Sequence, residues 1–100
     1  AVFQLFDSLK FRLPSARRER IRVSIAREYV RMGLRENAVD ELLLVLHENP
    51  NEVQALKLLA DIYILKRRFA SARKALTRLL DLNQNDTDAR AKLHEVMIHW

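Results

Sequence analysis

Read at an interval of 34 residues, the chain repeats itself at positions where helix packing would need it to. Ala26 returns as Ala60, Tyr29 as Tyr63, Ala38 as Ala72, Leu42 as Leu76, Leu46 as Leu80 and Asn49 as Asn83. The register runs on into a partial third copy, in which Asn51, Ala55, Leu59 and Ile64 return as Asn85, Ala89, Leu93 and Ile98. A period of this length is that of a helical hairpin, a unit that cannot bury its apolar face alone and stacks on its neighbours. Such stacks present an extended curved surface instead of closing round a catalytic pocket, so a binding scaffold is expected and not an enzyme.

The length of 100 residues sets the size of the stack. It accommodates one domain of two hairpins and a closing helix, near the lower limit of about three stacked units for a stable solenoid. A hydrophobic content of 49% with one glycine and two prolines describes a globular, helical chain. No apolar run approaches the roughly 18 residues of a membrane span, and no signal-peptide pattern is present, so a cytoplasmic location is the expectation. With no cysteine in the chain, neither disulfides nor thiolate chemistry contributes.

Turn chemistry divides the chain into helices. The first is expected from about Ser15, a candidate N-cap after Pro14, to Met32, with Gly33 ending it. Its partner begins near Glu36 and carries Ala38, Leu42, Val45 and Leu46 on one stripe. Asn49-Pro50-Asn51 breaks the chain, because proline has no backbone donor and restricts the residue before it. A second hairpin over about 52–66 and 69–82 turns at Lys66-Arg67-Arg68. A last helix over about 87–100 gathers Leu93, Val96, Met97 and Trp100 on one face.

These positions resemble the tetratricopeptide repeat family over roughly residues 19–100. The first copy supplies Arg22, Ile25, Ala26, Tyr29, Ala38, Leu42 and Pro50, with Gly33 at its turn. The second supplies Leu56, Leu59, Ala60, Tyr63, Ala72 and Leu76, with Phe69 near its turn and Gln84 where proline would stand. Arg22 replaces the large apolar residue that packs against a preceding repeat, as a first repeat would allow. The resemblance implies an all-α fold of antiparallel helical hairpins stacked as a short right-handed solenoid. An N-terminal amphipathic segment at 1–14 would precede a repeat domain at 15–100. That domain would comprise repeat 1 at about 19–52, repeat 2 at about 53–86 and a capping helix at about 87–100.

The resemblance also implies that the first helix of each repeat lines a concave groove that holds another protein's peptide or helix, with no cofactor, metal or catalytic residue. By register the groove residues are Arg20, Val23, Arg27, Val30, Arg31, Lys57, Leu58, Asp61, Ile64 and Lys92, with Ser24, Gln54, Leu65, Glu95 and Ile98 beside them. Members that clamp a partner's C-terminal carboxylate place Lys, Asn and Arg at set positions. Here those positions hold Val23, Arg27, Leu58, Asp88 and Lys92, and Leu58 and Asp88 speak against that use.

No catalytic constellation competes with the scaffold reading. His94-Glu95 with His99 has the flavour of a zinc site, but an i, i+5 pair sits about 140° apart round a helix, too far to share a metal. His47 stands alone, and one glycine excludes the glycine-rich phosphate loops. The net charge of +5 falls in two basic blocks, +4 over residues 1–22 and +4 over residues 51–82. Lys10, Arg12, Arg17, Arg18, Arg20 and Arg22 form one, and Lys66, Arg67, Arg68, Arg73, Lys74 and Arg78 the other. A basic module that associates with nucleic acid or an anionic membrane is the alternative reading, and a self-assembly module a third. Aromatic residues are not interleaved with these charges, as single-strand binding would ask.

Three of the four phenylalanines lie in residues 1–13, where Val2, Phe3, Leu5, Phe6, Leu9 and Leu13 fit one broad helical face. An exposed face of that kind drives association or membrane binding and needs a cover. Val39 and Leu43 widen the apolar arc of the first repeat where the second has Arg73 and Thr77. The segment is therefore expected to pack over the first hairpin, within one chain or reciprocally in a homodimer, with membrane docking as the competing use.

Overall fold

Turn residues recur with the 34-residue period, and so do the backbone hydrogen bonds they make. The computed structural model describes residues 15–99, and these form five helices. In order they are α1 (Ser15–Arg31), α2 (Arg35–Glu48), α3 (Val53–Leu65), α4 (Phe69–Leu82) and α5 (Thr87–His99). The readings that fall on residues 1–14 and on Trp100 lie outside the described residues.

Each hairpin turns through the same cap. After α1, the Gly33 N–H donates to the Val30 carbonyl at 3.0 Å and the Leu34 N–H to the Tyr29 carbonyl at 2.8 Å. After α3, Arg67 and Arg68 repeat the pair on Ile64 and Tyr63 at 3.0 and 2.8 Å. This crossed pair satisfies carbonyls that a helix end would otherwise leave without donors, and it requires a left-handed residue between helix and turn. Gly33 supplies it at φ 79° and Arg67 at φ 57°.

The links between hairpins are periodic as well. Asn49 Oδ1 accepts from the Asn51 N–H at 3.2 Å, and Asn83 Oδ1 accepts from the Asn85 N–H at 3.0 Å. The side chain of Asn83 thus holds the second link in the shape of the first, which accounts for Gln84 standing where the first link has Pro50. Glu52 then caps α3 by accepting from the Ala55 N–H at 2.9 Å, and Asp86 accepts from the Ala89 N–H at 3.0 Å at the start of α5. Carboxylates at these ends satisfy orphan donors and oppose the positive end of the helix dipole.

Packing follows chain order, with α1 against α2, α2 against α3, α3 against α4 and α4 against α5. The buried residues form two clusters. One joins Val23 and Ala26 of α1, Ala38, Val39, Leu42 and Val45 of α2, and Ala55, Leu59 and Ile62 of α3. The other joins Leu56 and Ala60 of α3, Ala72, Ala75, Leu76 and Leu79 of α4, and Ala89 and Val96 of α5. Helix α3 therefore buries two faces, one against the first hairpin and one against its own partner. Ala26, Ala38, Ala60 and Ala72 are buried and small enough to let packed helices approach closely, and the fully buried Leu42 and Leu76 supply apolar volume. The tyrosines at the repeat period, Tyr29 and Tyr63, are half-buried against these clusters.

Two packing expectations are corrected. Met97 is exposed on α5, where Leu93 and Val96 face the core without it. Val39 is buried inside the first hairpin's cluster, so of the pair Val39 and Leu43 only Leu43 is exposed to meet another segment.

Candidate peptide-binding face

Side chains link the first helices of successive units directly. Arg27 of α1 donates from Nη2 to Gln54 Oε1 of α3 at 3.1 Å, and Lys92 of α5 donates from Nζ to Asp61 Oδ1 of α3 at 2.7 Å. These links tie α1, α3 and α5 together along one side of the stack. Arg27 and Asp61 occupy the same register position in successive repeats, as the 34-residue period demands.

The residues expected from the sequence divide by exposure. Arg20, Arg27 and Arg31 are exposed on α1, while Val30 is half-buried against the first cluster. On α3, Lys57, Leu58, Asp61 and Ile64 are half-buried, with Leu58 against the first cluster and Ile64 against the second. Lys92 is half-buried on α5. Val23 departs from the expectation. It is 3% exposed and belongs to the core beneath α1, so it offers no surface to a ligand. Its register partner Lys57 is half-buried, as suits a side chain whose long stem can lie along the surface while its charge reaches water.

The electrostatics of this side change along its length. Lys92 lies 2.7 Å from Asp61 and 3.1 Å from Asp88, so the α5 end is internally neutralised. Burial pulls the Lys92 ammonium down, but hydrogen bonds and charge from Asp61 and Asp88 outweigh it and hold the pKa above the ordinary lysine value. At the α1 end, Arg27 is hydrogen-bonded to the neutral amide of Gln54, and among the described residues no carboxylate pairs with it. Arg31 has Glu28 at 3.4 Å, an exposed i, i+3 pair of small energetic weight.

The second basic block lies on the α3–α4 turn and on exposed positions of α4. Several of its cations have partners within the chain. Lys66 pairs with Glu36, Arg67 sits 5.5 Å over the Phe69 ring, and Arg78 donates to Asn51 Oδ1. Phe69 in turn stacks on His99 with ring centroids 5.7 Å apart, so this aromatic is already engaged. Among the described residues no group of three His, Asp or Glu side chains is placed to hold a metal ion. No described helix is long and apolar enough to cross a membrane.

One feature of α1 escaped the register argument. Ile21 and Ile25 are exposed, at 42% and 40%, and border an open depression of about 430 Å³ lined by Arg17, Arg20, Ile21, Ser24, Ile25 and Glu28. The signal was present in the sequence, since Ile25 stands at the position where the next copy has Leu59, and Leu59 is buried.

Consecutive helix–turn–helix units that pack through two core clusters, with α3 contributing to both, define a helical repeat architecture. The tetratricopeptide repeat profile matches residues 29–95, and the chain belongs to that family, whose members are generally protein–protein interaction modules. No curated protein and no solved structure matches the chain.

Proposed function

We propose that the side formed by α1, α3 and α5 binds a peptide or helix of another protein. The observation that supports this most directly is the mixed character of that side. Half-buried Val30, Leu58 and Ile64 offer apolar anchor points, and Arg20, Arg27, Arg31 and Lys57 surround them with positive charge. Helix-in-groove recognition needs both, apolar side chains for affinity and a charged rim for orientation. With Lys92 neutralised by Asp61 and Asp88, the open cations lie toward α1, so the preferred partner carries apolar anchors followed by acidic residues that fall over α1. The test is a selection of displayed helical peptides on the intact chain, repeated with an Arg27→Glu, Lys57→Glu double variant. Selected peptides should bind the double variant at least tenfold more weakly, and unchanged affinity would rule this side out.

A further inference from the structure

In α3, the face carrying Ala55, Leu59 and Ile62 is buried against the first hairpin, with Ala55 at 0% and Leu59 at 4% exposure. Thirty-four residues earlier the same face of α1 carries Ile21, Ile25 and Glu28, and it borders the open depression. Ile21 and Ile25 are exposed at stacking positions, and among the described residues this face has no cover like that of its counterpart. Residues 1–13 contain a matching pattern. At an interval of 36, Val2, Phe3, Phe6 and Leu9 correspond to Ala38, Val39, Leu42 and Val45, all four of them buried in the helix that covers α3. At the same interval Pro14 corresponds to Pro50. The interval exceeds the repeat period by two because α1 starts one residue after Pro14, whereas α3 starts three residues after Pro50.

We propose that residues 1–13 cover the Ile21–Ile25 face of α1, taking the place that α2 takes on α3. The occupant is the chain's own segment because it is joined directly to the helix it covers, so its local concentration is far above that of any free competitor. This docking would bury Phe6 and Leu9 against Ile21 and Ile25, and the proposal is independent of what the α1–α3–α5 side binds. It differs from packing over Leu43, which is exposed on α2 and does not line the depression.

The chain has no cysteine, so a single introduced pair reports proximity without interference. In the full chain, Phe6→Cys with Ile25→Cys treated with a short bismaleimide at low concentration should give an intrachain link, identified by mass spectrometry on monomeric protein. Phe6→Cys with Leu43→Cys should not. Absence of the 6–25 link, a stronger 6–43 link, or links only between chains would each overturn the proposal, the last by making a second copy the occupant. Separately, Phe6→Asp and Ile25→Asp should each lower Tm by several degrees, and the double variant by no more than the larger single effect, since both remove one contact. Additive effects, or no effect, would overturn it. Phe6-dependent binding to phosphatidylserine vesicles without the 6–25 link would show a membrane contact instead.

Discussion

Arg67 stands one period after Gly33 in the same left-handed turn, at φ 57° against 79°, and donates the same cap hydrogen bond. The fold thus demands one backbone conformation at two places and meets it with the residue best suited to it and with one that tolerates it poorly. A Cβ built on Gly33 meets nothing within 4 Å, so any penalty for a side chain there is conformational and not steric. Gly33→Ala should therefore cost about 1 kcal/mol, and Gly33→Asn less, because Asn visits the left-handed region more readily. Arg67→Gly should change stability by less than about 0.5 kcal/mol, since relief of strain is offset by the loss of the guanidinium over Phe69 and by glycine's freedom in the unfolded chain. Urea unfolding with an unchanged slope is the measurement.

Arg22 and Glu41 form an ion pair at 3.0 Å between α1 and α2, where the second repeat has the buried pair Leu56 and Ala75. Their half-exposed setting limits the pair to about 1 kcal/mol. Glu41→Ala alone should lose up to that amount. The double variant Arg22→Leu, Glu41→Ala should be at least as stable as the parent, because a well-packed apolar pair commonly matches or exceeds a partly desolvated ion pair. Thermal unfolding of the three proteins distinguishes these outcomes.

Lys92 links stability to alkaline pH. Its pKa is raised in the folded state, so its contribution is complete below the unfolded value of about 10.4 and is lost as pH rises through the folded value. Lys92→Gln should cost no more than about 1 kcal/mol near neutral pH, the scale of a solvent-screened pair. The difference between parent and variant should stay flat to about pH 10 and shrink above it. Melting curves of both proteins across that range test the sign directly.

Val23 separates core from surface. Val23→Ala should destabilise by about 2 kcal/mol through the lost contacts and the space left behind. Its register partner is the half-buried Lys57, and Lys57→Ala should change stability by less than about 0.5 kcal/mol. Denaturation midpoints for the two variants provide the comparison.

Charge neutralisation on the second basic block distinguishes a peptide binder from a polyanion binder. Neutralising Arg67, Arg68, Arg73 and Lys74 should leave binding of a selected peptide within about twofold, since these residues belong to the α3–α4 turn and to α4. A polyanion binder would instead lose affinity for oligonucleotides on neutralisation, and its binding would fall steeply with salt. Titrations with peptide and with duplex and single-stranded oligonucleotides at two salt concentrations decide between them.

The helices and their order were legible in the sequence, because a 34-residue repeat of Ala, Tyr and Leu, together with Gly33, Pro50 and the Asn pairs, encodes local structure that each segment adopts through its own turns and caps. Which residues of α1 and α3 share the proposed side follows from register as well, since positions three and four apart share a helix face whatever the surroundings. Burial does not, because it depends on which helix comes next. Val23 and Lys57 share a register position, yet one is core and the other surface. Ile25 and Leu59 share another, and only the second has a preceding hairpin in the described structure to pack against. Val39 fell into the core and Met97 out of it for the same reason. Periodicity states what each residue can do on its helix, and the neighbouring helix decides whether water or a side chain meets it.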